Sequence, residues 1–499
     1  MKKDYTTKKL SLDSRTTAEE KQWSERGQIH LFQKFDRYFA IDVGTGVVIE
    51  LDELSWKIAT KISEGNPIAA VKHMLKKDFS EDDVYEAFKE LSELYENGEF
   101  FSKDFVPQAK STTTKSINGL CLMMSGDCNL RCDYCFAVDA NSTGRKGHMP
   151  KEVAHKAVDF LLANARASKE LSVSFFGGEP LLNFPVVEST VIYALEKAKT
   201  NNKRIRFNIT TNVTLLNKTV RDFLAKHPEI TLILSIDGGA EIHNRYRCFA
   251  DGRRSFAVVR RNILSLLGDN RIDPNSLSVR GTFTGISHDL VTATSEILAL
   301  GLKDISIEPA IVRAGELEIS EKQLEAIKKD YDQLALFYLD NIKNGKPFRL
   351  FHFEIARQNV AFPKRMYKPC SAGTSYLAVD IDGTIYPCHR FIGDSNFVMG
   401  NLNGHSLDKD LSKLFTGALV ISKEKCRSCW ARYYCGGGCH RHGYEFNGDI
   451  HNPYDIECEL MRHRIELGAY LHAILTDDES MEISELNELS IYRPEYDRS

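Results

Sequence analysis

The feature that constrains this chain most is its set of twelve cysteines, ten of which stand in two groups at short spacings. Cys128, Cys132 and Cys135 fall within eight residues, and seven more follow between Cys370 and Cys458. The chain is long, and its first 26 residues are polar and lysine-rich with no apolar core of the kind a secretory signal has. This combination predicts metal ligation in a reducing compartment rather than a disulfide framework.

Composition excludes several other function classes. The net charge is only -4 over 499 residues, so no global field favours nucleic acid or an anionic membrane surface. The longest apolar runs, such as residues 232–236, are far shorter than the ~20 residues that a membrane span requires. We therefore expect a cytoplasmic protein that binds neither nucleic acid nor membrane.

The pattern of elements divides the chain into five parts. Residues 1–27 and 476–499 read as a flexible tail and an acidic tail, and a polar linker covers 107–116. Residues 28–108 form a small module: alternation predicts strands at 29–32, 38–41 and 47–51, three helices, and a closing strand at 99–102. This order resembles a winged helix-turn-helix. Residues 109–350 form an α/β domain, and 351–475 form a cysteine-rich domain.

Six apolar strand candidates alternate with amphipathic helices in the α/β domain. They are residues 118–124, 171–176, 204–210, 231–236, 277–283 and 304–308. Strand–helix repeats imply a parallel sheet with crossover helices, and six units suit a partly closed (β/α)6 barrel better than a full eight-stranded barrel. The predicted fold class is therefore α/β, with the barrel between the small module and the cysteine-rich domain.

The first cysteine group has the spacing C-x3-C-x2-C in the loop after the first barrel strand. Iron–sulfur clusters are normally held by four thiolates, so three ligands leave one iron open to a substrate or cofactor. A zinc loop is the alternative. Gly177, Gly178, Glu179 and Pro180 follow the second strand, where glycines let the backbone approach a ligand and the carboxylate can receive an ammonium group.

These two motifs together resemble the radical S-adenosylmethionine (SAM) superfamily. The resemblance implies that SAM binds the open iron and is cleaved to a 5′-deoxyadenosyl radical, which abstracts hydrogen from a substrate. For the residues at the ends of later strands, ordinary strand-end capping is an equally good interpretation. The residues expected to contact SAM are Tyr134, Gly177, Gly178, Glu179, Pro180, Asn212, Ser235, Asp237 and Arg280.

The second cysteine group resembles the SPASM extension, including Gly383 before its second cysteine. The resemblance implies two auxiliary 4Fe–4S clusters, three clusters in all, although a zinc ribbon is the competing interpretation. Cys370, Cys388 and Cys439 would hold the first auxiliary cluster. Cys426, Cys429, Cys435 and Cys458 would hold the second. Three clusters with one open iron need eleven ligands and the motifs supply ten, so the first auxiliary cluster is expected to have an open iron unless Cys248 fills it. Cys121 is expected to be a buried apolar residue.

The domain order resembles maturases of ribosomally synthesised peptides, whose N-terminal module pairs an edge strand with the leader of a precursor peptide. A nucleic-acid-binding winged helix is disfavoured, because residues 80–97 carry seven acidic residues and one lysine. Residues 126–137, 280–284, 351–353 and 370–378 resemble the SCIFF-type (six-cysteine) maturases in particular. That likeness implies a cysteine sulfur-to-carbon thioether, with electrons from a flavodoxin- or ferredoxin-type donor.

Several alternatives remain open at this stage. One is a sulfatase-maturating enzyme that makes formylglycine, although His389 stands where those relatives have an aspartate. Carbon–carbon or carbon–oxygen crosslinks and epimerisation fit the same architecture. A non-catalytic redox-sensing protein is the alternative from another class. The sequence assigns no catalytic side chain.

Overall fold

The computed structural model describes residues 27–104, 116–136, 146–313, 315–361, 363–404 and 406–477. The predicted N-terminal tail, the polar linker and the acidic C-terminal tail lie almost entirely outside these ranges. Within the described ranges, no helix combines the length and apolar character needed to cross a membrane.

The N-terminal module is an antiparallel three-stranded sheet followed by three helices, as predicted. The strands are β1 (Ile29–Lys34), β2 (Arg37–Asp42) and β3 (Val48–Leu51), in the order β1-β2-β3. The helices are α1 (Glu53–Ser63), α2 (Ile68–Leu75) and α3 (Glu81–Glu96). Asp52 and Ser80 cap α1 and α3, because their side chains accept hydrogen bonds from Ser55 N and Asp83 N.

The prediction of a strand at residues 99–102 is wrong. Phe100 and Phe101 are both buried, so this segment does not alternate between two faces as a half-buried strand does. Phe101 also has a φ of 52°, which breaks the extended backbone. Isolated hydrogen bonds tie the segment to the module instead: Gly27 N donates to Phe101 O (2.9 Å), and both the backbone N (2.7 Å) and the hydroxyl of Ser102 donate to the Asp42 carboxylate.

All six predicted barrel strands are present and parallel to their neighbours. They are β4 (Gly119–Ser125), β6 (Glu170–Gly177), β7 (Arg204–Thr211), β8 (Ile230–Ser235), β10 (Leu277–Phe283) and β11 (Asp304–Pro309). Two short strands, β5 (Leu130–Cys132) and β9 (Arg247–Phe249), pair with each other beside this sheet. The carboxyl ends of the six strands meet at one edge, where catalytic groups gather in such folds.

Crossover helices connect these strands and cover the sheet. They are α4 (Lys151–Asn164), α5 (Phe184–Thr200), α6 (Lys218–Leu224), α7 (Ala240–Tyr246), α8 (Phe256–Leu267), α9 (Leu290–Ala299), α10 (Glu321–Lys343) and α11 (Phe351–Ala361). Val158, Val191 and Ile263 from three of these helices are fully buried in the same core as Phe175 and Phe207 of the sheet.

The sheet continues across the boundary predicted between the α/β and cysteine-rich domains. β12 (Arg349–Leu350) extends it beyond β11, and β13 (Tyr376–Val379) lies parallel to β4 on the other side. β14 (Thr384–Tyr386) and β15 (Gly400–Asn401) follow in antiparallel pairing. The result is an open sheet in the order β12-β11-β10-β8-β7-β6-β4-β13-β14-β15.

Short helices and one long helix complete the cysteine-rich domain. They are α12 (Lys409–Gly417), α13 (Glu424–Arg427), α14 (Arg432–Cys435), α15 (His440–Asn447) and α16 (Asp455–Asp477). Single 3-10 turns occur at Pro180–Asn183, Pro274–Ser276, His389–Phe391, Ser395–Phe397 and Val420–Ser422. The N-terminal module lies against this domain: the His30 ring stacks on Trp430 at 3.8 Å, and Arg432 pairs with Asp104 at 2.8 Å.

Candidate active site

The three cysteines of the first group lie together in the loop after β4. Cys128 Sγ accepts hydrogen bonds from Leu130 N (3.3 Å) and Asn212 Nδ2 (3.6 Å), and Cys132 ends β5. Burial, assisted by the neighbouring thiols, raises the pKa of Cys128 to about 11 and that of Cys132 to about 12. A coordinating metal deprotonates such thiols outright, so this set fits a cluster held by three thiolates.

The glycines of the second motif pack directly against this loop. Gly178 N donates to Ser125 O (2.8 Å), and Glu179 N donates to Asp127 O (2.9 Å). A Cβ atom would stand 2.3 Å from Ser125 O at Gly177 and 2.2 Å from Asp127 O at Gly178. The close approach that requires glycine is therefore to the cluster loop, a role that differs from the predicted approach to a ligand.

Glu179 is a fully buried carboxylate held at the ends of β6 and β7. It accepts hydrogen bonds from Leu181 N (3.0 Å), Thr211 Oγ1 (2.8 Å) and Asn212 N (2.7 Å). Burial raises its pKa to about 7, although these three donors act in the opposite direction. An ammonium group bound here would supply the missing positive charge. Pro180 starts the turn that follows, and its fixed φ suits that position.

Asn212 connects the end of β7 to the cluster loop. Its Nδ2 donates to Asn129 Oδ1 (2.8 Å) as well as to Cys128, and its Oδ1 accepts from Thr214 N (3.1 Å). The amide oxygen of Asn212 therefore caps a turn, as expected if the residue is an ordinary strand-end cap. The amide nitrogen lies at the first cysteine group.

Asp237 is enclosed by protein donors. It accepts hydrogen bonds from the Tyr134 hydroxyl, Arg247 Nε (3.0 Å) and Thr282 N (2.9 Å), and only 1% of its surface is exposed. Arg247 also lies over the Tyr134 ring, 5.4 Å from its centroid, and faces Cys132 across the β5–β9 pair. Hydrogen bonds to protein groups therefore explain why an aspartate stands at this strand end. Arg247 is a buried residue of the site that the sequence analysis missed.

Ser235 and Arg280 stand opposite each other on β8 and β10. Arg280 is half exposed, and its Nη2 lies 3.8 Å from Glu308 Oε1 at the end of β11. Glu308 also lies 3.0 Å from His352 Nε2. Burial acts to raise the pKa of Glu308, but His352, Arg280 and Arg464 hold it well below its usual range. Glu308 and His352 were not predicted as site residues, since neither belongs to a short motif of known spacing.

The first auxiliary set, Cys370, Cys388 and Cys439, also comes together in the structure. Burial raises the pKa of Cys370 to about 11 and raises that of Cys388 further, and Cys439 adds to both shifts. Cys439 differs: burial acts to raise its pKa, but the adjacent His442 lowers it overall. His442 in turn lies 2.6 Å from Glu457. Among these three thiols, Cys439 is therefore the one whose pKa is lowered.

The second auxiliary set lines a single cavity. Its walls include Cys426, Cys429, Cys435 and Cys458, and Arg462 Nη1 lies 3.8 Å from the sulfur of Cys429. Four thiols around one cavity fit the four-cysteine coordination that a 4Fe–4S cluster uses. No group of three or more His, Cys, Asp or Glu side chains within the described ranges is arranged to hold a single metal ion.

The two remaining cysteines lie elsewhere. Cys121 is 1% exposed in the middle of β4, which confirms the prediction that it is a buried apolar residue. Cys248 lies on β9 directly opposite Arg131 of β5, and its Sγ is 3.4 Å from Asn244 O. Cys248 therefore stands beside the loop of the first cysteine group.

His389 lies between the barrel and the cysteine-rich domain. Its ring packs on Phe176 at the end of β6 (4.8 Å between centroids) and near Phe136, which follows Cys135 (6.2 Å). Burial, together with the charges of Arg390 and Arg280, lowers its pKa to about 3. Its Nδ1 has no hydrogen-bond partner within the described part of the chain. A neutral imidazole thus faces the space between the first cysteine group and the first auxiliary set.

Comparison with known proteins agrees with this geometry. The sequence model of the radical SAM superfamily matches residues 122–267, and that of SPASM, an iron–sulfur cluster-binding domain, matches residues 370–430. The radical SAM cyclopropyl synthase TigE of Paramaledivibacter caminithermalis is 25% identical, over 78% of this chain and 87% of its own length. A cysteine-type anaerobic sulfatase-maturating enzyme of Clostridium perfringens is 26% identical, over 64% of this chain and 87% of its own length.

A solved structure shares the fold. Native anSMEcpe with bound AdoMet and Cp18Cys peptide superimposes with a TM-score of 0.62, at 21% identity, over 73% of this chain and 100% of that one. The chain thus has a mixed α/β fold with a radical SAM domain and a SPASM domain, and it is a radical SAM enzyme. Among such enzymes, the two domains and these relatives support a radical SAM peptide maturase.

Proposed function

We propose that this enzyme forms thioether crosslinks in a ribosomally synthesised precursor peptide, joining a cysteine sulfur to a carbon of another residue. The observation that carries the proposal is the division of the second cysteine group into a set of four and a set of three. Only three cysteines gather at the first auxiliary site, beside His389, which packs on the barrel strand β6.

The radical chemistry is assigned to the first cysteine group. Cys128, Cys132 and Cys135 would hold the SAM-binding cluster, and Glu179 would receive the ammonium group of SAM. When bound, this cofactor pair supplies a 5′-deoxyadenosyl radical that abstracts a hydrogen atom. The buried carboxylate and the glycines packed on the loop support this assignment, because they fix the cysteine loop and an anionic site at the same edge of the sheet.

The first auxiliary site is assigned to the substrate cysteine. Cys370, Cys388 and Cys439 would hold this cluster and leave one iron for a peptide thiolate. Neither spare cysteine is placed to complete the set, since Cys121 lies inside β4 and Cys248 pairs with β5. Coordination would both position the thiol and lower its pKa, so that the thiol proton is lost. After the 5′-deoxyadenosyl radical has taken a hydrogen atom from carbon, the carbon–sulfur bond would form with the loss of one electron, and the first auxiliary cluster would accept that electron.

The N-terminal module is assigned to leader binding by strand addition. β1 and β3 are the two edges of its sheet. His30 and Lys34 of β1 are engaged by the body of the enzyme, through Glu466 at 2.9 Å and Asp332 at 2.7 Å. We therefore place the leader on β3, where backbone hydrogen bonds provide affinity. A flavodoxin- or ferredoxin-type protein is the proposed electron donor.

The decisive experiment on bond type is tandem mass spectrometry of the peptide product after iodoacetamide treatment. Each thioether should remove two hydrogens from the peptide and one alkylatable thiol. A two-hydrogen loss with every thiol still alkylated would instead assign a carbon–carbon or carbon–oxygen crosslink.

Leader binding is tested by competition. An excess of the isolated leader peptide should raise the apparent KM for the precursor peptide several-fold, because both compete for the β3 edge. SAM cleavage measured without any precursor should not change, since the module supplies affinity and no chemistry. An unchanged KM at saturating leader would contradict the assigned role.

Metal content tests the cluster assignment. Anaerobically reconstituted enzyme should contain about 12 iron atoms per chain, the number in three cubane clusters. The double variant Cys426→Ala/Cys429→Ala should contain about 8, because it lacks two ligands of one cluster. Stoichiometric zinc, or only about 4 iron atoms in the wild-type enzyme, would refute the two auxiliary clusters.

A further inference from the structure

Lys423 is a lysine whose side chain is completely buried between the two auxiliary cysteine sets. It is 0% exposed, and its backbone carbonyl accepts from Cys426 N (3.0 Å) at the start of α13. Its Nζ donates to Gly437 O (2.6 Å). Gly437 lies in the short segment that joins Cys435 of the second set to Cys439 of the first. The ammonium group is thus hydrogen-bonded to the backbone segment that joins the two auxiliary cysteine sets.

Within the described ranges, no carboxylate lies within ion-pair distance of Lys423, and its other near neighbour is His440 Nδ1 at 3.5 Å. The charge of Lys423 contributes to lowering the pKa of Asp449, but the Asp449 carboxylate is bonded to His451. A buried charge without a partner is strongly unfavourable, so the charged form of Lys423 needs a partner of opposite charge.

Cysteines of both auxiliary sets act electrostatically on the ammonium group, which lies against the segment between Cys435 and Cys439. Burial lowers the pKa of Lys423, and four thiols act against that shift: Cys426, Cys435, Cys370 and Cys439. Two of these belong to each auxiliary set. When the thiols ligate iron they become thiolates, and the clusters that they hold carry negative charge.

We propose that Lys423 is a shared counter-cation of the two auxiliary clusters, which favours the reduced form of both. This inference rests on the proposed cluster assignment. Reduction adds one negative charge to a cluster, and a nearby buried cation stabilises that charge because little water screens it. Local charge is one of the main determinants of iron–sulfur potentials. Lys423 thus acts on the reaction through the charge of the clusters and not by contact with the substrate.

The test is an EPR-monitored redox titration of variants that lack the SAM-binding cluster. The parent carries Cys128→Ala, Cys132→Ala and Cys135→Ala, so only the auxiliary clusters contribute to the spectrum. In this parent, Lys423→Met should lower the ratio of reduced to oxidised cluster at a fixed potential by at least tenfold for both signals. A tenfold change corresponds to about 59 mV for a one-electron couple. Lys423→Arg, which keeps the charge, should retain the parent potentials.

A neighbouring lysine provides the matched control. Lys425 lies beside the same Cys426 but is half exposed and pairs with Asp455 at 2.8 Å, so Lys425→Met should shift the potentials much less. Lys423→Gln is a second neutral variant, which keeps a donor for Gly437 O in case the methionine variant loses iron. If both neutral variants lose iron while Lys423→Arg retains it, the shared charge is needed for cluster assembly, which supports the proposal.

The outcomes separate this inference from the cluster assignment. A parent with fewer than about 8 iron atoms would show that the assignment of two auxiliary clusters is at fault. A fully loaded Lys423→Met variant with unchanged potentials would overturn the role of Lys423. A shift in one signal alone, or an equal shift in Lys425→Met, would overturn the claim that the cation is shared and specific.

Discussion

Cys132→Ala should reduce SAM cleavage to background, a loss on the order of 10³-fold or more, as for removal of an essential catalytic group. Cys132 is one of three cysteines at the first site, and an iron cluster that loses one of three protein ligands is not retained. The surrounding backbone should persist, because Arg247, Asp237 and Tyr134 bond to one another independently of the Cys132 sulfur.

The measurement is 5′-deoxyadenosine formed by reconstituted enzyme with SAM and dithionite. Cys248→Ala is the matched control, since this cysteine lies in the partner strand β9 of the same two-stranded sheet. It should keep near wild-type activity and iron content, whereas Cys132→Ala should lose about 4 iron atoms. Wild-type levels of 5′-deoxyadenosine from Cys132→Ala would refute the assigned radical site.

Replacing the crosslinked cysteine of the peptide by serine should eliminate the crosslinked product while hydrogen abstraction continues. A hydroxyl group is far less acidic than a thiol and is a poor ligand for iron of a sulfur-rich cluster, so the serine peptide cannot take the place beside Cys370, Cys388 and Cys439. Abstraction depends on the first site only and should proceed near its normal rate.

Deuterium-labelled peptide distinguishes these two events. Transfer of label to 5′-deoxyadenosine reports abstraction, and tandem mass spectrometry reports the crosslink. Replacement of a cysteine that is not crosslinked should leave both signals unchanged and serves as the control. If the serine peptide is still crosslinked, the sulfur is not the reacting atom, and a carbon–carbon or carbon–oxygen bond becomes the better assignment.

The sequence predicted those parts of the fold that depend on local pattern. Apolar segments that alternate with amphipathic helices located all six barrel strands, and the resemblance to SPASM predicted which thiols of the second cysteine group would gather. The wrong strand at 99–102 shows the limit of such patterns, because burial of both Phe100 and Phe101 depends on tertiary packing.

Site residues were missed where the contact is non-local. Arg247 acts through the pairing of β9 with β5, which lies more than a hundred residues earlier in the chain, and no spacing rule connects them. Lys423 was missed for the same reason, because its complete burial between two cysteine sets depends on tertiary structure. From the sequence alone, a lysine is expected to be a solvated surface residue.

The pairing of β4 with β13 has a consequence for synthesis on the ribosome. Gly119 to Leu122 of β4 lie opposite Tyr376 to Val379, so one edge of a central apolar strand has no partner until the cysteine-rich domain has emerged. The radical SAM domain therefore cannot finish folding as an independent nascent unit, and a chain that ends before residue 376 would expose a strand edge open to aggregation. The shared sheet therefore couples the folding of the radical SAM domain to that of the cysteine-rich domain.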